Sequence, residues 1–131
     1  MTGLDINVMV RYLVQDDSVQ SPKAGTVIES FTPERQGYIC LTVLVELVWV
    51  LTSCYEMEKA GLLKVFDLLL RTRTLVVEQA DVVRRAVDMF RTSKSDFEDC
   101  LILCACDVAG CEQTLTFDTG AAKTVGMHLI R

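Results

Sequence analysis

Apolar and polar positions follow two patterns that alternate along the chain. Short apolar runs predict strands at "TGLDI", "YICL", "TLVVE", "QTLTF" and "MHLI". The longer stretches between them have apolar residues at helical spacing and predict helices, for example "EMEKAGLLKVFDLLLR" and "ADVVRRAVDMFRTS". Strands that alternate with helices need crossover connections. The pattern therefore predicts an α/β fold with a mostly parallel sheet and helices on both of its faces.

Helix boundaries carry signals of their own. Asn7 and Thr42 are the predicted N-caps of the helices that follow the first two strands. Ser95 and Glu98 form an S-x-x-E capping box in front of "DFEDCLILCACDVA", and Gly110 is predicted to end that helix. In a parallel sheet, helix N-termini and the carboxyl ends of strands meet at the edge where sites form.

Length, composition and charge narrow the class of protein. The chain has 131 residues, half of them apolar, which suits a single domain over residues 1–131 with one core. The formal net charge of −5 argues against a protein that binds nucleic acid by bulk charge alone. It leaves open an enzyme that uses a metal ion to bridge its own carboxylates to a phosphate.

The six cysteines are interpreted as reduced thiols. Four of them crowd into residues 100–111, on one predicted helix and its end. The N-terminus "MTGLDINVMV" has no basic segment typical of a secretory signal. Cys100 and Cys104 match none of the usual zinc spacings. We therefore expect a cytoplasmic protein without disulfides.

The stretch "CLTVLVELVWVL" contains a single charged residue, Glu46. A membrane span is disfavoured because residues 38–55 are near the lower length limit and a mid-span acid costs about 2.5–3.5 kcal/mol. A strand end followed by a buried helix fits better. We expect Glu46 about one turn inside that helix, withdrawn from water and in need of a partner.

Four acids are predicted at the same edge of the sheet. Asp5 ends the first strand, Asp118 ends the fourth, and Glu46 and Asp99 each lie about one turn inside a helix. Clustered carboxylates repel one another, and a hard divalent cation such as Mg²⁺ removes that conflict. Asp5 or Asp118 taken alone has a simpler interpretation as a turn residue or helix cap. Asp96 shares a face with Asp99 but is well placed to favour the helix dipole, so Asp99 is kept as the inner ligand.

Other catalytic chemistry is poorly supported. His128 is the only histidine and lies in the last predicted strand. The sequence has no G-x-S-x-G, Walker A or G-x-G-x-x-G motif. Basic residues that could line a substrate path are Arg11, Lys23, Arg71, Arg73, Arg84, Arg85 and Lys123, and no role is assigned to any of them.

The motifs "GLDINVMVRYLVQDD", "LTVLVELVWVL", "DFEDCLI" and "AGCEQTLTFD" together resemble the PIN-domain family. They are most similar to the VapC-like toxin ribonucleases of bacterial toxin–antitoxin pairs, in order and over nearly the whole chain. The resemblance implies an α/β/α sandwich that cleaves RNA with Mg²⁺ or Mn²⁺. It also implies a homodimer and an inhibitory antitoxin protein, with DNA bound only through the antitoxin.

The resemblance also suggests which residues act. The implied acidic ligands are Asp5, Glu46, Asp99 and Asp118, with Asn7 and Thr116 as supporting residues. Asp96 is a further supporting candidate, from its helical spacing to Asp99 and not from the resemblance. One departure concerns Ile6, which stands where relatives often carry Thr or Ser. A supporting hydroxyl is therefore missing beside the first ligand. Because all four carboxylates remain, an inactive enzyme is not inferred.

Three alternatives stay open. A degenerate PIN-like module would bind a partner without catalysis. A phosphatase of the dehalogenase-like fold would use Asp5 as nucleophile, but it wants an acid two residues later, where Asn7 stands. A phosphate-accepting receiver domain wants an aspartate at the end of a middle strand, where "TLVVEQAD" offers only Glu78 and Asp81.

Overall fold

The computed structural model describes all residues from 1 to 131 and divides them into two compact units. The first unit is Met1–Glu78 and the second is Gln79–Arg131. The single domain over residues 1–131 stays a prediction.

The first unit is built around a three-stranded parallel sheet. Its elements are β1 (Thr2–Gly3), α1 (Ile6–Val14), α2 (Gln20–Glu29), β2 (Gly37–Ile39), α3 (Leu41–Tyr55), α4 (Lys59–Arg71) and β3 (Leu75–Val77). The strand order is β1-β2-β3, and both neighbouring pairs are parallel. The predicted α/β class with parallel strands joined by helices is confirmed.

One face of α3 supplies much of the core of this unit. Leu44, Leu47, Val48 and Leu51 recur at helical spacing and are buried. Ile39 of β2 is also fully buried. This helix has 15 residues, and no helix of the chain is both long and apolar enough to cross a bilayer.

The second unit contains a helix pair and a small sheet. Its elements are α5 (Ala80–Thr92), α6 (Phe97–Val108), β4 (Leu115–Thr116), α7 (Thr119–Thr124) and β5 (His128–Leu129). α5 packs against α6, where the rings of Phe90 and Phe97 meet edge to face with centroids 5.9 Å apart. β4 and β5 form a separate two-stranded parallel sheet. All six cysteines of the chain are free thiols in this structure.

The C-terminus of α6 has the predicted form. Gly110 has a φ of +91°, a left-handed conformation that glycine adopts without a steric penalty. Its N–H donates to the carbonyl of Asp107, and the N–H of Cys111 donates to that of Cys106. This pair of hydrogen bonds is a Schellman motif, so the predicted helix end is confirmed.

Three predicted N-caps are wrong by one or two positions. The observed N-cap positions are Asp5, Cys40 and Asp96, in place of Asn7, Thr42 and Ser95. For the first two helices, the chain passes from strand to helix within one or two residues, so the helix begins before the predicted polar cap. For the third, the Asp96 carboxylate accepts the N–H of Asp99 at 2.9 Å and takes the role predicted for serine.

Candidate active site

Asp5 occupies the short turn between β1 and α1. Its backbone is extended (φ −79°, ψ 163°) at the N-cap position of α1, yet its side chain accepts no capping hydrogen bond. The residue is exposed and makes no ion pair. Its carboxylate oxygens are therefore free for a ligand and lie close to the positive end of a helix dipole.

Glu46 lies in the second turn of α3, as predicted, but its side chain is exposed. The expectation that this carboxylate is withdrawn from water is therefore wrong. The apolar residues around it in sequence turn toward the core, while Glu46 projects from the opposite face of the helix. Solvent hydrates its carboxylate, so the side chain needs no buried partner.

In the second unit, two of the predicted site residues, Asp96 and Asp118, act electrostatically on a third, Asp99. Asp99 is half-buried in the first turn of α6. Its pKa is raised above the usual value, first by desolvation and then by the negative charges of Asp96 and Asp118. The charge of Asp118 therefore reaches Asp99 although the two residues are far apart in sequence. A cation near these carboxylates would reverse the effect.

Asp118 is held by the backbone around it. Its Oδ1 accepts the N–H groups of Gly120 at 2.7 Å and Ala121 at 3.4 Å, which makes it the N-cap of α7. Its own N–H donates to the hydroxyl of Thr116 at 3.0 Å. Thr116 therefore fixes the turn that carries Asp118, and the Oδ2 of that carboxylate accepts no hydrogen bond.

Asn7 lies in the first turn of α1, on the wall of a groove of about 260 Å³ between α1 and α2. The same groove is lined by Arg11 and Lys23, two of the basic residues that the sequence suggests as possible substrate contacts. Arg11 is already bound to Asp16 at 3.2 Å and to Gln20 at 2.8 Å. Lys23 makes no ion pair, so it is the more available cation of the two.

The sequence patterns did not predict that Glu78 caps a helix. It directly follows β3, and its carboxylate accepts the N–H of Leu41, the first residue of α3, at 2.8 Å. Cys40, at the N-cap position of α3, supplies no side-chain cap. A charged acceptor from the neighbouring strand therefore takes the place of a local cap. The parallel pairing of β2 with β3 is the signal that brings Glu78 to this helix end.

No three side chains of His, Cys, Asp or Glu form a group that could hold a metal ion in this structure. The chemistry of the donors nevertheless fits a hard divalent cation. The candidate ligands are all carboxylates, the oxygen ligands that such a cation prefers. The side chain of Asp5 has no competing hydrogen bond, and neighbouring negative charges repel the charge of Asp99.

A comparison with protein families matches residues 4–126 of the chain to the PIN domain. The chain belongs to the PIN domain family. The comparison with curated proteins finds no match. The mixed α/β structure with seven helices and parallel strands is consistent with the α/β/α fold of PIN domains. PIN domains are typically nucleases that use divalent metal ions, which supports a hydrolase acting on nucleic acids.

We expect Asp99→Asn to raise the midpoint of thermal unfolding in metal-free buffer near neutral pH. Removing one like charge from a screened cluster should add about 1–2 °C, measured by calorimetry in EDTA. Asp88→Asn is the matched control, because Asp88 is exposed on α5 and lies outside the cluster. A lower midpoint for Asp99→Asn would contradict the repulsion described here.

We expect Glu78→Ala to lower the free energy of unfolding by about 1–2 kcal/mol, because the N-terminus of α3 loses its only side-chain acceptor. Glu78→Gln keeps an acceptor oxygen and should lose less. Urea denaturation of the three proteins measures both effects. Equal stability of the alanine variant and the wild type would show that solvent satisfies the Leu41 N–H equally well.

Proposed function

We propose that this PIN domain is a metal-dependent endoribonuclease. The observation that carries the proposal is the family match, which spans residues 4–126 and includes every predicted acidic ligand. The proposed ligands of Mg²⁺ or Mn²⁺ are Asp5, Glu46, Asp99 and Asp118. The unengaged carboxylate of Asp5 and the raised pKa of Asp99 support this assignment.

The residues of the chain have distinct roles in the proposed reaction. When bound, the divalent ion supplies charge neutralisation at the phosphate and makes water a stronger nucleophile. Asp5 offers two free oxygens, whereas Asp118 offers mainly the oxygen that does not cap α7. Thr116 keeps Asp118 in place through its backbone N–H. Ile6 has no hydroxyl to support the first ligand, so Asp5 depends on backbone geometry alone.

We further propose that the enzyme is the toxin of a type II toxin–antitoxin pair. The similarity of the four sequence motifs to VapC-like ribonucleases supports this role. It comes with a cytoplasmic location, a homodimer and a cognate antitoxin that blocks the acidic residues. With a net charge of −5, the chain itself is a poor binder of operator DNA, which would contact the antitoxin instead.

The second candidate is a PIN module that binds a partner without catalysis. One observation favours it: the carboxylate of Glu46 is exposed to solvent, so the fold does not bury it at a metal site. A module of this kind would keep the fold and lose the reaction. Cleavage assays separate the two candidates.

We expect purified protein to cleave RNA in Mg²⁺ or Mn²⁺ and to lose this activity in EDTA. Asp5→Asn should reduce cleavage by at least about 100-fold, because a ligand charge is removed while the fold is kept. Mapping the RNA ends after incubation gives the rate and the cleaved positions. Asp88→Asn, which removes an exposed charge on α5, should cleave like the wild type.

Equal cleavage in EDTA would overturn the proposed metal dependence, and undiminished cleavage by Asp5→Asn would remove this residue from the site. Absence of cleavage by well-folded wild type in either metal would favour the non-catalytic module. The toxin role is tested separately by inducible expression of the wild type and Asp5→Asn in cells. Growth arrest by the wild type alone is the expected result.

A further inference from the structure

Two aromatic side chains of this protein are exposed, and both are close in sequence to a proposed metal ligand. Trp49 is 53% exposed and Phe117 is 79% exposed, whereas the other seven aromatic residues are half-buried or buried. Trp49 follows Glu46 by three residues, and Phe117 directly precedes Asp118. Each of the two compact units thus places one ring beside an acid.

The position of Trp49 follows from the packing of α3. Successive residues of a helix are rotated by about 100°, so residues three, four and seven apart share a face. The face opposite the core consists of exposed residues, and these are Thr42, Glu46, Trp49 and Ser53. Trp49 is the only large apolar side chain among them. Its Cβ is expected about 5–6 Å from that of Glu46, which is the distance between helix neighbours.

The exposed indole of Trp49 can bind a ligand that offers a flat surface for stacking. Large aromatic side chains gain most of their stabilisation from burial, and packing inside this chain does not provide it for Trp49. Unpaired nucleobases have such surfaces and stack on aromatic side chains largely without regard to sequence. Glu46 is a proposed ligand of the metal ion that binds the scissile phosphate. A ring one helical turn from it would meet the base of a neighbouring nucleotide.

We infer that Trp49 is a stacking platform for an unpaired base of single-stranded RNA next to the cleaved phosphate. The inference rests on the proposed function and names the form of its substrate. Phe117, in the second unit, is also an exposed aromatic residue next in sequence to a proposed ligand, Asp118. Trp49 is therefore not the only exposed ring that is close in sequence to a proposed ligand. The net charge of −5 opposes RNA, so affinity at Trp49 has to come from short-range stacking.

The chain contains a single tryptophan, so its fluorescence reports on this side chain alone. The probe is a short single-stranded RNA of mixed sequence, added in EDTA so that it stays intact. We expect saturable quenching of the tryptophan emission. We also expect Trp49→Leu to bind the end-labelled RNA at least about fivefold more weakly by anisotropy, and Trp49→Phe to retain most of the affinity.

Leu68→Ala is the matched control, because Leu68 is an exposed apolar residue on α4, 45% exposed, and has no acid of the proposed site as helix neighbour. It should bind RNA like the wild type. Unchanged emission at RNA concentrations that saturate the anisotropy would overturn the inference. So would wild-type affinity of Trp49→Leu, or failure of the wild type to bind the RNA at all.

A protein partner is the competing explanation for an exposed tryptophan. If Trp49→Leu alters the molar mass by light scattering and leaves RNA affinity unchanged, Trp49 belongs to a contact between copies and the inference fails. Cleavage in Mg²⁺ is measured in parallel, so that the two proposals fail separately. Cleavage without quenching removes only the stacking role. Quenching without cleavage removes the nuclease and the position beside a cleaved phosphate, and leaves Trp49 only as an RNA contact.

Discussion

The structure depends on how abruptly the chain turns from strand to helix. One or two residues separate β1 from α1, β2 from α3 and β4 from α7. A turn this short leaves the first helical N–H groups in need of acceptors. The turn residue Asp118 caps α7 and Glu78 from the neighbouring strand caps α3, whereas no side chain caps α1. Acids are well suited to that position, because the helix dipole stabilises their charge. Two of the acids that follow strands, Glu78 and Asp118, therefore have a structural role at a helix N-terminus.

What each carboxylate does for its helix determines what it can do for a ligand. Asp118 and Asp96 each accept backbone N–H groups of their own helix with one carboxylate oxygen, and Glu78 accepts an N–H of α3. Asp5 occupies the same kind of position and caps nothing. A carboxylate without a structural role in the folded chain is the best candidate for one in binding. The distinction is invisible in sequence, where all four look like acids that follow strands or begin helices.

The elements that could be predicted are those set by local pattern. The apolar face of α5 (Val82, Val83, Ala86 and Phe90) is buried as its spacing predicts, and Gly110 ends α6 because few other residues adopt its conformation. The predicted N-cap positions were wrong by one or two residues. Where a helix begins depends on where the preceding strand ends, and strand ends depend on pairing with other strands. The predicted burial of Glu46 was wrong because α3 is apolar on most sides. Which face of the helix turns to the core is therefore set by the elements that pack against it. Glu78 required knowledge of which strands pair.

Exposure of Glu46 changes the physical account of the proposed nuclease. A buried carboxylate would attract a cation strongly, whereas a hydrated one attracts it weakly and leaves more of the binding to other groups. The net charge of −5 opposes the approach of RNA, and the Arg11 charge is largely balanced by Asp16. Under these conditions, substrate affinity has to come from contacts that act at short range. Exposed aromatic rings are the groups of this chain that can provide such contacts without neutralising the acids. Stacking gains little from long-range charge, so it would hold RNA against the field of the protein while the carboxylates remain free to bind a cation.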